Sequence, residues 1–417
     1  MGSDNKLAIL VGGGPAPGIN GVIASATIRA KLAGLDVIGV RDGFQWLMQG
    51  ELDHIVPLGI ADVSRVHLRG GSFLGIARAN PTKSPELLDK TLESLSRLGV
   101  SRLITIGGDD TAFSAMKVHE RAAGKLQVVH VPKTIDNDLD LPPEVPTFGY
   151  QTARHIGTGV VETLMEDAKT ASRWYFVVAM GRTAGHLALG IGKAAGAHLT
   201  VITEEFKRPM RLKTLVDTLA GAIIKRQSVG RPDGVAVVAE GVTLAFDPQD
   251  FAEFGNVERD AHGHVRLAEV NLGDMLKAKV DARLKSLGVK TTIAEKNIGY
   301  ELRCADPIPY DMEYTRELGH AAAEHLINGG TAAMISVYGG QFVPVPFATM
   351  IDKDTGRTRV RLVDVASRSY RVARQFMIRL ERADFADGVQ LAKLAAVTNL
   401  SPADFRRQFE PILDASV

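Results

Sequence analysis

The strongest constraint on the fold is an alternation of short apolar runs with helical patterns, each run ending in a polar turn. Leu103-Ile104-Thr105-Ile106 reads as a buried strand and leads into Gly107-Gly108-Asp109-Asp110-Thr111. A helix is predicted over 112–121. Val128-Val129-His130-Val131 is the next buried strand, and Pro132-Lys133-Thr134-Ile135-Asp136-Asn137-Asp138 the turn that follows it. Short uninterrupted apolar runs separated by helices are the signature of parallel strands buried on both faces. The same order opens the chain, with a strand over 6–11, a glycine-rich turn over 12–18, a helix over 19–33 and a strand over 37–40. The predicted class is α/β, with doubly wound, mainly parallel sheets and helices on both faces. Such sheets place their ligands beyond the carboxyl ends of the strands, which is where these polar turns fall.

At 417 residues the chain is too long for one ordinary core, and two domains are expected. Residues 42–81 form a looser segment, and a helix over 86–97 leads into the central unit. Prolines at 142, 143 and 146 stop regular structure and suggest a hinge or crossover. A second α/β half follows, with predicted helices over 152–171, 183–195, 211–226, 269–287 and 311–328. Its strands are predicted over 174–179, 198–202, 234–239, 290–297 and 332–338. Residues 246–266 read as a polar surface insertion, and from Pro344 onward a short strand and a helical tail are expected. With 49 basic against 48 acidic residues, the chain has no general field for nucleic acid or an anionic membrane. Any anion must be gripped by locally placed groups. A single cysteine, Cys304, rules out an intrachain disulfide. With no apolar signal core near Met1 and no run of membrane-spanning length, a cytoplasmic location is expected.

The polar turns carry the chemistry. The turn over 12–18 either cradles phosphate at a helix N-terminus or simply links strand to helix; its G-x-G-x-x-x-G spacing departs from the dinucleotide fingerprint. In Gly107–Thr111 the glycines let a phosphate approach the backbone. Adjacent carboxylates cannot both aim at one point, so Asp109 is assigned to Mg²⁺ and Asp110 to a donor pocket; the plainer alternative is a pair of helix caps. An extended backbone over 134–138 would put Thr134, Asp136 and Asp138 on one side. Asp136 is then placed to take the proton of a sugar hydroxyl attacking phosphorus, with Lys133 neutralising the transferred group; the alternative is a solvated acidic turn. Arg173, Arg182 and Arg303 are candidates for gripping a phosphate, which arginine does bidentately. Glu240 ends its strand abruptly and is a candidate for sugar hydroxyls. His130, inside a strand, reads as a core residue.

Five ordered motifs, Gly13-Gly14-Pro15-Ala16-Pro17-Gly18, Gly107–Thr111, 132–138, Met180-Gly181-Arg182 and 299–303, resemble those of the 6-phosphofructokinases over roughly residues 6–328. The resemblance implies two α/β domains with the active site between them, in a homodimer or homotetramer. A donor-binding domain would span 1–148 and 302–345, and a sugar-phosphate domain 149–301 and 346–417. Asp136 would be the base for the 1-hydroxyl of fructose 6-phosphate and Asp109 the Mg²⁺ ligand, with Lys133, Asp110 and Arg182 also serving catalysis. Gly14, Arg78, Gly108, Asp110 and Lys133 would bind the donor. Thr134, Ile135, Asp138, Met180, Gly181, Arg182, Glu240, Tyr300 and Arg303 would hold the sugar phosphate, while Arg173 reaches an adjoining subunit.

Where ATP-using members of that family have glycine, this chain has Asp110 and Lys133, and where they have aspartate it has Pro15. A carboxylate meeting a nucleotide's α-phosphate at about 4 Å costs on the order of 1–4 kcal/mol. A nearby lysine restores positive charge for a smaller, more highly charged donor. Both changes resemble the pyrophosphate-dependent branch, so pyrophosphate is the expected donor. Ala24 and Ile28 stand where allosteric bacterial members carry effector-binding arginines, and effector control of that kind is not expected. The alternatives are an ATP-dependent phosphofructokinase, a lipid or dinucleotide kinase sharing the Gly-Gly-Asp loop, an enzyme preferring sedoheptulose 7-phosphate, or a non-catalytic phosphate-sugar or nucleotide sensor, against which Asp136 argues because a sensor needs no base.

Overall fold

The computed structural model describes residues 5–142, 145–252, 270–352 and 358–415. They form two compact units. Among the described residues, the first draws on 5–142, 145–153, 300–352 and 358–361, the second on 154–252, 270–299 and 362–415. From sequence the late crossings are expected near 302 and 346; contacts within the fold put them at 300 and 362.

Twelve strands are defined among the described residues: β1 (Lys6–Val11), β2 (Asp36–Val40), β3 (Ile55–Pro57), β4 (Val100–Gly107), β5 (Gln127–Thr134), β6 (Phe148–Gly149), β7 (Trp174–Ala179), β8 (Leu199–Val201), β9 (Gly234–Ala239), β10 (Ile293–Ile298), β11 (Ala333–Tyr338) and β12 (Gln341–Pro346). In the first unit they run β12-β11-β5-β4-β1-β2-β3, with β6 added beside β5. Pairing is parallel except at the edges, where β3 and β12 run antiparallel to their neighbours. The central strands are apolar and buried because helices cover them: Leu7 to Val11, Leu103, Ile104, Val128 and Val129 are fully shielded. Register aligns the strand ends, pairing Val11 with Ile106 and Gly107 with Pro132, so that three polar segments emerge at one edge.

Helices Ile19–Leu32 and Pro309–Ile327 pack against each other at backbone distance. A Cβ on Gly319 would lie 2.5 Å from the Val22 carbonyl oxygen, so the contact requires glycine. The proline-containing crossover does not simply leave the domain, since β6 returns to pair with Lys133 and Thr134.

The second unit is a four-stranded parallel sheet, β10-β7-β9-β8. The helix expected from 183 begins at His186, with Gly185 as its N-cap. Residues 300–303 form a single helical turn. Most of the expected 246–266 insertion lies outside the described residues; its start contains a short helix, Pro248–Phe251. The C-terminal tail packs onto this unit through buried Glu205, whose carboxylate meets Arg379 at 2.6 Å and the Tyr370 hydroxyl at 2.9 Å. No described helix is long and apolar enough to cross a membrane.

Candidate active site

In the first unit the turn after β4 becomes a helix, Asp109–Ala122, whose N-cap is Gly108. Asp109 and Asp110 therefore occupy the first turn and are not its caps. Consecutive helical residues diverge by about 100°, so the two carboxylates face different ways. Negative charge in a first turn is favoured by the helix dipole, which lets the fold carry both. Thr111 is buried and fills the space beside Gly12 and Gly107; a Cβ on either would come within 2.6 Å of its side chain. The turn after β1 is tied at its start, where the amides of Gly12 and Gly13 donate to the carbonyls of Ile106 and Ala77. Those two amides serve the scaffold, and the bond to Ala77 brings the adjacent Arg78 to the glycine turn.

Lys133 lies within β5 and not in the turn beyond it, and it is only 4% exposed. Its ammonium donates to the Gly14 carbonyl. Burial pushes its pKa down to about 8; the positive charges of Arg303 and Arg78 act in the same direction, while Asp136 and Asp109 oppose them. Lys133 thus reports a cluster of three cations and two carboxylates at the ends of β1, β4 and β5. Arg303 adjoins the same place, since a Cβ on Gly14 would sit 2.9 Å from its Nη1. Its guanidinium lies 4.7 Å from the centre of the Tyr300 ring. His130 is a core residue as expected. It is fully buried between the Thr105 hydroxyl (2.9 Å) and the Gly107 carbonyl (3.0 Å), and burial lowers its pKa to about 3.

The extended geometry expected over 134–138 ends at Thr134. The chain bends at Ile135 and Asp136, and Asn137 is left-handed with φ 56°. Thr134 Oγ1 accepts the Asp136 amide at 3.0 Å, which turns the backbone out of the strand. The alternation that would have put Thr134, Asp136 and Asp138 on one side therefore does not apply. The bend is fixed by groups the sequence reading missed. Thr147 donates its hydroxyl to the Thr134 carbonyl and its amide to Asn137 Oδ1. Arg361 bonds the backbone and side chain of Asn137. Neither residue belongs to a local motif, and Arg361 reaches this segment only because the chain returns to it 224 residues later.

In the second unit, Met180-Gly181-Arg182 follows β7, Glu240 follows β9 and Gly299 follows β10, all at the carboxyl ends of adjacent parallel strands. Gly181 has φ 146°, a region that favours glycine, and its amide donates to Glu240 Oε1 at 3.1 Å. One oxygen of Glu240 is thus committed to shaping the Arg182 turn. Glu204, unforeseen in the sequence, accepts the Gly185 amide at 2.8 Å and closes the other end of that turn. Met180 packs against Gly299, whose added Cβ would lie 2.6 Å from the methionine methyl. Arg173 does not join this group. It precedes β7, at the opposite end of a strand roughly 20 Å long, with its Nε 3.4 Å from Asp167.

This fold and these strand-end loops define a phosphoryl-transfer protein of the phosphofructokinase family, to which the chain belongs: the family model described as Phosphofructokinase matches residues 6–326. Among its relatives, a pyrophosphate--fructose 6-phosphate 1-phosphotransferase of Thermotoga maritima is 52% identical over 409 residues, 97% of this chain and 98% of that protein. A protein of the same name from Naegleria fowleri is 49% identical over 414 residues, 97% of this chain and 95% of its own. A crystal structure described as a pyrophosphate-dependent phosphofructokinase from Nitrosospira multiformis matches the fold with TM-score 0.69 at 16% identity, covering 96% of this chain and 93% of that one.

Proposed function

We propose that this protein catalyses reversible transfer of a phosphoryl group from pyrophosphate to the 1-hydroxyl of fructose 6-phosphate, giving fructose 1,6-bisphosphate and phosphate. The observation that carries the donor assignment is the buried Lys133 ammonium bonded to the Gly14 carbonyl, close to the helix turn bearing Asp110. A glycine at 133 would leave that space to a larger donor; here it is filled by positive charge suited to a compact, highly charged anion. Asp110 adds a carboxylate where an α-phosphate of ATP would need room.

Asp136 takes the proton from the sugar's 1-hydroxyl as that oxygen attacks the nearer phosphorus. The bridging P–O bond breaks and its electron pair leaves with phosphate. Lys133 and Arg182 stabilise charge on the transferring group. Gly14, Arg78 and Gly108 line the donor; Thr134, Ile135, Asp138, Met180, Gly181, Glu240, Tyr300 and Arg303 orient the sugar phosphate. No group of three or more metal-ligating side chains occurs among the described residues. Mg²⁺ keeps few protein ligands and shares substrate oxygens. Asp109 would hold it, and its charge would neutralise the diphosphate. Arg173, remote from the Arg182 turn along β7, serves the site of a second copy in a homo-oligomer. A cytoplasmic setting accords with a single, exposed cysteine.

Replacing Asp136 by alanine is expected to lower turnover by roughly 10²–10⁴-fold, while fructose 6-phosphate still binds in calorimetry. Near-normal turnover would remove Asp136 as the base.

A further inference from the structure

We propose that Arg361 is a positioning residue for Asp136, acting by clamping the backbone immediately beyond it; the proposal rests on Asp136 being the base. Asp136 sits on a bend, not on a strand, so the direction of its carboxylate depends on how the backbone on either side is held. On the upstream side Thr134 accepts the Asp136 amide and is itself held by Thr147. On the downstream side the Thr147 amide donates to Asn137 Oδ1, and the larger hold, on both the carbonyl and the side chain of Asn137, comes from Arg361. Its Nε donates to the Asn137 carbonyl at 3.2 Å, Nη2 to Asn137 Oδ1 at 2.5 Å and Nη1 to the Val145 carbonyl at 2.8 Å. Its own backbone amide donates to the Asp138 carbonyl at 2.8 Å, and Leu139 bridges to Val360 in antiparallel register.

The grip falls where the backbone most needs it. Asn137 is left-handed, a conformation asparagine tolerates better than most residues but that still costs more than the right-handed one. Arg361 fixes this residue through both its carbonyl and its side chain, and ties it to Val145 across the proline-containing crossover. A planar guanidinium fork can span these acceptors, whereas a lysine ammonium is a point donor. The carboxylates of Asp138 and Asp140 favour the charged guanidinium, offsetting the burial that lowers its pKa.

The test uses the full-length protein with pyrophosphate and fructose 6-phosphate, comparing Arg361→Ala, Arg361→Lys, Asp136→Asn and the double variant Arg361→Ala/Asp136→Asn. A displacement of about 1 Å in a reacting group costs about 10²-fold, so Arg361→Ala is expected to lose turnover of that order with little change in KM for pyrophosphate. Arg361→Lys, which keeps the charge and the fold, is expected to recover only part of it. Added guanidinium ion should restore activity to Arg361→Ala by refilling the slot. In the double variant the Arg361 change should add less than about threefold to the loss already caused by Asp136→Asn, because one residue acts through the other. A fully active Arg361→Lys or Arg361→Ala alongside an inactive Asp136→Asn would overturn the proposal while leaving the base in place. So would folded Arg361→Ala that guanidinium fails to rescue, or losses that multiply in the double variant. Near-normal turnover by Asp136→Asn would instead remove the base and this proposal together.

Discussion

The Lys133 ammonium lies buried in β5, bonded to a carbonyl and flanked by two arginines and two carboxylates, and its pKa falls to about 8. If its charge binds the donor, kcat/KM for pyrophosphate should fall as pH rises through about 8, since that ratio reports the free enzyme. Protein stability should move the other way. The folded pKa lies below the ordinary lysine value of 10.5, so between these values the unfolded chain binds more protons, and this group's contribution makes the fold more stable as pH rises. A loss of activity in that window while the unfolding midpoint holds or rises would identify Lys133; parallel loss of both would not. In Lys133→Arg the alkaline limb should disappear from this range, because arginine keeps its charge. His130 stays neutral through the same range and contributes no limb of its own.

At the scale of elements, the helix pair Ile19–Leu32 and Pro309–Ile327 holds the turn after β1 in place, because the first helix starts directly at its end. Gly319→Ala would drive a Cβ against the Val22 carbonyl, and overpacking of this kind should cost about 1–3 kcal/mol. Urea unfolding checks it, and an unchanged midpoint would show that the pair can slide apart. The strand-turn-helix order was legible in the sequence because buried parallel strands leave continuous apolar runs and their turns leave glycines. The grouping of Lys133, Asp109 and Asp136 was legible for the same reason: neighbouring parallel strands end together. The direction of Asp136 was not. Strand periodicity suggested an extended segment, but the bond that the Asp136 amide donates to the Thr134 hydroxyl and the left-handed Asn137 bend it, and one of the residues that fix the bend, Arg361, comes from a distant return of the chain. Glu240 read as a candidate for sugar hydroxyls, but the bond from the Gly181 amide to one of its oxygens was not legible. Hydrogen bonds of this kind depend on tertiary contact and leave no spacing in the sequence.

At the scale of the whole molecule, the tail read from sequence only as helical is anchored by charge buried in the second unit. Glu205 and Arg379 are 4% and 5% exposed, and the pair also engages Tyr370. Glu205→Ala would leave the buried guanidinium without its carboxylate, a change expected to destabilise by about 3–5 kcal/mol; calorimetric unfolding close to the wild-type midpoint would contradict that role. The chain belongs to the phosphofructokinase family, and relatives alike over nearly its full length carry the name pyrophosphate--fructose 6-phosphate 1-phosphotransferase. The most direct test is steady-state turnover of fructose 6-phosphate by the purified protein with Mg²⁺ and either pyrophosphate or ATP, repeated with Asp110→Gly. Robust use of pyrophosphate, negligible use of ATP and a gain of ATP use in Asp110→Gly are the predicted results; efficient ATP-dependent turnover by the wild-type protein without activity on pyrophosphate would contradict them.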